Sequence, residues 1–186
     1  ALYGQVALNL DKWTFTAGFR DYEIADGFKS SEFGVFYGGS FGCDGTAPEG
    51  TTCSEENGSE SDNRPKFTAT YQPNENLTLF AVSSAGYRPG GNNAALPYFC
   101  ANDPEASSFQ RRYTSDRAEN TEFGIKARGD SFNVNATYFM IDWTDIQIGI
   151  APACGWSFQA NGGEAETSGV ELDFSFALTD LSLIHI

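Results

Sequence analysis

Five side chains in this 186-residue chain suit covalent or metal chemistry best, one histidine and four cysteines, and their spacing argues against both. His185 stands alone near the last residue, so Ser-His-Asp, Cys-His and histidine-based metal schemes have no partner for it. Cys43, Cys53, Cys100 and Cys154 form no CxxC pair and lack zinc-type spacing with histidine. All four fall in loop-like sequence, where an oxidising compartment would turn them into disulfides. Proximity orders the pairing as Cys43 with Cys53 and Cys100 with Cys154, one of three possible connectivities; unpaired small residues are the alternative. Asp142 and Asp145 could be drawn as a carboxylate pair, but their spacing puts them on opposite faces of a strand, as solvated acids. Asn57-Gly58-Ser59, Asn76-Leu77-Thr78 and Asn135-Ala136-Thr137 match the glycosylation pattern, the last of them inside a strand. No glycine-rich phosphate loop precedes a helix. The expectation is therefore no enzyme, no resident metal and no cofactor. A formal net charge of −14 also excludes nucleic acid, which requires clustered lysine and arginine.

What remains is a pattern of strands. The stretch 119–148 alternates in two arms: Phe123, Ile125 and Ala127 oppose Glu122, Gly124, Lys126 and Arg128. After Gly129-Asp130, Phe132, Val134, Ala136, Tyr138 and Met140 oppose Ser131, Asn133, Asn135 and Thr137. Period-two alternation on both sides of a Gly/Asp step predicts a β-hairpin. Its second arm, 131–149, is far longer than the roughly 5 to 6 residues of an ordinary strand. Similar arms fall at 2–9, 12–24, 65–73, 77–88 and 164–178, with a further strand beginning at Leu181. Between them, residues 25–64 lose periodicity, carry eight acidic and two basic side chains, and read as a long solvated loop. Loops at about 89–118 and 150–163 complete the series.

The connections run short, long, short, long, so every short turn lies at one end of the strands and every long loop at the other. A β-sandwich has no reason to keep that order, whereas an outer-membrane barrel has short periplasmic turns and long external loops. Trp13 and Tyr71 stand beside short turns, where an interfacial aromatic girdle belongs. The mean hydropathy of −0.35 is compatible, because alternating strands average out in any window. The fold class expected is all-β: an antiparallel up-and-down transmembrane β-barrel, present as about seven complete strands and a stub. No signal peptide opens the sequence, and a fragment of a longer protein is the favoured explanation. The tail 183–186 breaks the alternation and is expected to have no role.

Four segments together resemble a known family. They are ALYGQVALNLDKWTFTAGFRDYE, KFTATYQPNENLTLFAVSSAGYRPGG, ENTEFGIKARGDSFNVNATYFMIDWTDIQI and GEAETSGVELDFSF. In this order they resemble the C-terminal half of the barrel of TonB-dependent outer-membrane receptors, of the iron-complex and siderophore type. The most specific pieces are Gly86-Tyr87-Arg88-Pro89-Gly90-Gly91, Thr121-Glu122-Phe123-Gly124-Ile125-Lys126 and Ser168-Gly169-Val170-Glu171-Leu172. Proline at i+1 and glycine at i+2 in 88–91 predict a type II turn. Gly169 predicts a close backbone approach at a strand start.

The resemblance implies a 22-stranded barrel whose plug domain and TonB-contact segment lie outside this sequence. It implies residence in the Gram-negative outer membrane, with lipid and lipopolysaccharide around the barrel. Its partners would be the inner-membrane TonB complex and an iron–siderophore or similar ligand. Ligand contacts would fall on loop residues: Arg88, Tyr98, Phe99, Arg111, Arg112 and Trp156. Arginines suit anionic chelates and aromatics suit planar groups. The structural alternative is that Arg111 and Arg112 balance Asp103, Glu105 and Asp116. Rival functions are a small self-contained outer-membrane barrel with a structural or adhesive role, and a secreted β-sandwich binding module. For the loop cysteines, mass spectrometry of non-reduced peptides should recover Cys100 linked to Cys154; free thiols at both would refute that pairing.

Overall fold

A computed structural model describes residues 1–33, 51–179 and 182–185. The chain builds one antiparallel eight-stranded sheet and two small two-stranded sheets. Six long strands and the opening one lie in chain order: β1 (Leu2–Leu10), β2 (Trp13–Phe33), β3 (Thr51–Asn74), β4 (Leu77–Gly86), β7 (Arg117–Arg128), β8 (Phe132–Thr144) and β11 (Ala165–Thr179). β12 (Ser182–His185) forms one edge and β1 the other. The small sheets pair β5 (Gly91–Asn92) with β6 (Arg112–Tyr113), and β9 (Gln147–Ile150) with β10 (Phe158–Asn161).

Register carries the two-faced pattern across the whole sheet. Leu8 faces Phe15, Phe15 faces Ala69, and Ala69 faces Ala81. The row continues through Phe123, Tyr138 and Val170. A one-residue slip at any ladder would put one strand's apolar set on the wrong face, so these rows fix the pairing. This face is bare: Val170 is 72% exposed and Leu172 65%. Among the described residues the buried apolar side chains are Tyr22, Cys100, Ala106, Phe158 and Ala160, at the long-loop end. No second sheet covers the apolar face among the described residues, which removes the sandwich architecture. Trp13 and Tyr71 pair across β2 and β3 with ring centroids 4.6 Å apart beside the short turns.

Neighbouring turns are tied to one another. The Gln72 amide donates to the Lys12 carbonyl at 2.8 Å, and the Arg128 amide to the Asn76 carbonyl at 3.0 Å. Asp11 takes a positive φ of 50° in the first turn, which Asp tolerates better than most residues.

Four expectations change. Residues 25–33 and 51–64, expected to be loop, extend β2 and β3, and their ladder runs unbroken from Trp13–Tyr71 to Phe33–Thr51. Apolar alternation marks only a strand with one apolar face; these extensions carry polar residues in both sets of alternate positions, so the sequence signal vanishes while the backbone ladder persists. The arm 131–149 is two strands, because Asp145 adopts φ 53° and redirects the chain between β8 and β9. Gly90 has no positive φ, so residues 88–91 make no type II turn. The tail pairs with β11, Phe176 opposite Ile184 and Ser175 opposite His185.

Two glycines of the sequence motifs share one device on the polar face. Gly124 lies opposite Phe80, and Gly169 opposite Phe139. In each pair the ring lies over the glycine: a Cβ at Gly169 would meet Phe139 Cζ at 2.9 Å, and one at Gly124 would overlap the Phe80 ring. Cross-strand coverage of this kind gives the glycine the packing its own side chain cannot. Gly169→Ala in the intact barrel should destabilise folding by about 1 kcal/mol, through displacement of the ring. In a Phe139→Ala background the same change should be close to neutral in urea titration, and equal effects in both backgrounds would refute the coupling.

Candidate functional site

The site lies where the two long connections fold back over the polar face. One, residues 87–116, carries β5, β6 and two 3-10 turns, Tyr98–Cys100 and Pro104–Ser108. The other, residues 145–164, carries β9 and β10. Irregular backbone needs partners for its amides and carbonyls, and here polar side chains supply them. Asn93 is buried; its Nδ2 donates to the carbonyls of Gln110 and Gln159, and its Oδ1 accepts from the Gln159 amide. Asn161 accepts from the Thr114 amide at 2.6 Å and donates to the carbonyls of Thr114 and Asp145. Gln147 Nε2 donates to the carbonyls of Pro89 at 2.8 Å and Thr114 at 3.0 Å. One asparagine or glutamine therefore bridges the two connections at each of three points.

A covalent bridge adds a fourth. Cys100 and Cys154 form a disulfide across 54 residues, with Cys100 fully buried. Closing a loop of that length removes about 4 kcal/mol of unfolded-chain entropy in the chain-entropy model. Asp103 caps the second 3-10 turn through the Glu105 amide and also accepts from the Cys154 amide at 3.1 Å. Phe109 packs edge-on against buried Phe158, with centroids 5.3 Å apart. Cys43 lies outside the described residues, and so does its pairing with Cys53.

This doubled loop is then clasped to the strands. Glu60 of β3 accepts from the Gly90 amide at 3.0 Å, the Ser115 amide at 3.1 Å and the Ser115 hydroxyl at 2.5 Å. Arg112 of β6 bonds Asp26 of β2 at 2.7 Å, and Asn92 donates to the same carboxylate. The Arg112 guanidinium lies on Gly58 of β3, in the space a Cβ would fill. Arg88 binds buried Asp116 through Nη2 at 2.5 Å and Nε at 2.6 Å, and its Cζ sits 4.9 Å from the Trp143 ring. Below them, Tyr22 and Tyr87 stack face to face with centroids 4.0 Å apart, and Arg64 lies beside both rings.

The family model described as TonB dependent receptor-like, beta-barrel matches residues 1–184. The chain belongs to that family. A search of curated proteins gives no match. Solved structures share the fold. The ferric yersiniabactin uptake receptor FyuA from Yersinia pestis is 14% identical, with a TM-score of 0.72 over 96% of this chain and 24% of its own. The FrpB iron transporter from Neisseria meningitidis is 22% identical, with a TM-score of 0.60 over 95% of this chain and 23% of its own. The ferric-catecholate import receptor Fiu from E. coli K12 is 18% identical, with a TM-score of 0.61 over 96% of this chain and 25% of its own. The chain thus spans about a quarter of the receptors it matches.

Within this TonB-dependent receptor barrel, the six residues singled out as ligand contacts divide into two groups. Arg88 and Arg112 are engaged in holding the loops. Arg112 pairs with Asp26 rather than with the expected Asp103, Glu105 or Asp116, and Asp116 takes Arg88. Tyr98 and Phe99 are exposed, 63% and 40%, and meet edge-on at 5.9 Å beside the disulfide. Arg111 is exposed, and Trp156 is half-buried two residues beyond Cys154. Asp142 is an exposed strand residue and Asp145 a turn residue, so they form no pair. No cluster of three or more potential metal ligands occurs among the described residues. Sequence reasoning missed Glu60, Asp26, Asn93, Gln147 and Asn161; single polar residues in aperiodic stretches carry no signal of their partners.

Glu60→Ala in the intact receptor should free the Gly90 and Ser115 amides. Hydrogen bonds to a charged acceptor are worth about 1.5–3 kcal/mol, so their hydrogen exchange should quicken roughly 10- to 100-fold. Unchanged protection at both amides would show that Glu60 does not hold the loop.

Proposed function

We propose that this chain is part of the wall of a Gram-negative outer-membrane receptor that imports a scarce ligand, such as a ferric siderophore, with energy from TonB. The observation that carries this reading is the division of the molecule: one continuous apolar face, one polar face, short tied turns at one end, and a disulfide-bonded loop unit folded over the polar face at the other. A transporter wall needs each of these, for lipid, for a wet lumen, and for a ligand entrance. Family membership supports it. So do the uptake and import receptors among the structures sharing the fold.

In this reading the lumen receives the plug carried elsewhere in the receptor, and lipid and lipopolysaccharide meet the apolar face. Tyr98, Phe99, Arg111 and Trp156 contact ligand from the loop unit, with aromatic rings for planar groups and the guanidinium for anionic ones. Arg88 and Arg112 act through position, holding that unit in place. The Cys100–Cys154 disulfide fits an oxidising compartment outside the cytosol.

The test is uptake of radiolabelled ferric siderophores by iron-starved cells expressing the intact receptor. Uptake should require TonB, and Tyr98→Ala with Phe99→Ala should weaken ligand binding roughly tenfold, as expected for loss of two exposed aromatic anchors. Uptake of no iron complex, or transport that persists without TonB, would contradict the reading.

A further inference from the structure

The chain carries 25 acidic residues against 11 basic ones, yet one cavity reverses that balance. It lies on the polar face below the loop clasps and measures about 700 Å³. Its charged lining consists of Arg20, Arg64 and Lys66, without any Asp or Glu, and Tyr3 and Tyr87 add two phenols. Arg20 of β2 stands in register between Tyr3 and Arg64, and Lys66 opposite Gly18 and Ser84, so all three cations share one face of the adjacent strands β2 and β3. Arg20 and Lys66 take part in no ion pair among the described residues.

Arg64 supplies the second observation. It is buried, at 6% exposure, a rare state for arginine unless its donors are met. Nη1 pairs with Asp62 and Nη2 donates to the Tyr22 hydroxyl at 3.3 Å, while Nε has no acceptor. Arg64 also lines a separate cavity of about 270 Å³, which holds Glu60, Asp62 and Asp145 together with Arg117. One buried guanidinium therefore lines both a mixed-charge cavity and a cationic one, with a donor still unfilled.

We propose that the cationic cavity is an anion site taking a carboxylate-class group, held by Arg20 and Lys66 and oriented by Arg64. Arg20 and Lys66 carry no counter-charge, and the Asp62 partner of Arg64 does not line this cavity, so the concave wall concentrates positive potential, and arginine's planar fork matches a carboxylate. The carboxylate arrives either on a free anion entering the lumen or on another segment of the same receptor. The proposal rests on the polar face being the lumen wall.

The experiment places single cysteines in the intact receptor in outer-membrane vesicles, against a receptor without them as background. Ser84→Cys lines the cavity, and Leu172→Cys lies on the opposite face. Each is labelled with an anionic and a cationic methanethiosulfonate reagent. Leu172→Cys should resist both; ready labelling there would overturn the lumen reading, and this proposal with it. At Ser84→Cys the anionic reagent should react about fivefold faster than the cationic one, as a local positive potential requires. The preference should vanish with Arg20→Gln and Lys66→Gln and persist with the charge-keeping Arg20→Lys and Lys66→Arg. Citrate, the probe for a free anion, should then slow labelling. If Ser84→Cys is instead inert until Arg20→Gln and Lys66→Gln release it, the carboxylate comes from the receptor itself. With Leu172→Cys protected, equal labelling by both reagents, or inertness that charge removal does not lift, would overturn the anion site alone.

Discussion

A strand that crosses lipid must find a partner for every backbone amide and carbonyl, because hydrocarbon offers none. That constraint explains the continuity of the ladder from β1 to β12, and why it is antiparallel with tight turns at one end. Among the described residues β1 and β12 are the outermost strands of the ladder. Side-chain chemistry is secondary to this. Once the ladder is fixed, alternation decides which residues join the apolar face and which the polar face.

Beyond the apolar band the same requirement is met differently. The loop backbone has only the short ladders β5–β6 and β9–β10, so Asn93, Gln147, Asn161 and Glu60 supply further acceptors and donors one residue at a time. Each links segments far apart in sequence, and the Cys100–Cys154 bridge makes the two connections one unit. β2 and β3 rise past the apolar band and offer Asp26 and Glu60 as fixed posts for that unit. The loops are thus positioned by rigid strands, and their outer residues Tyr98 and Phe99 are left exposed.

The sheet was legible because its apolar set repeats with period two: Phe123, Ile125 and Ala127 announce β7 without help from any other residue. Where the covered face is polar, as at Asp26 or Glu60, the repeat disappears and strand looks like loop. The break at Asp145 escaped because the apolar rhythm resumes at Ile146 and Ile148 while the backbone turns. The arginines were legible by type but not by partner: which of several nearby acids Arg112 chooses is a matter of tertiary distance, and Asp26 lies 86 residues away. Family resemblance rested on short pieces whose glycines later proved to sit under aromatic rings, a reason for their spacing that one strand alone does not reveal.

The central claim is that the apolar face meets lipid and the polar face does not. Adjacent residues of β11 test it with little else changed: Leu172 belongs to the first face and Glu171 to the second. Each is replaced by arginine in the intact receptor, and folding free energy is measured by denaturant titration in phospholipid bilayers. Leu172→Arg should cost about 2–4 kcal/mol, the range for arginine near the bilayer midplane, and Glu171→Arg close to nothing. Equal small effects at both positions would mean that water covers both faces, and the membrane-wall account would be wrong.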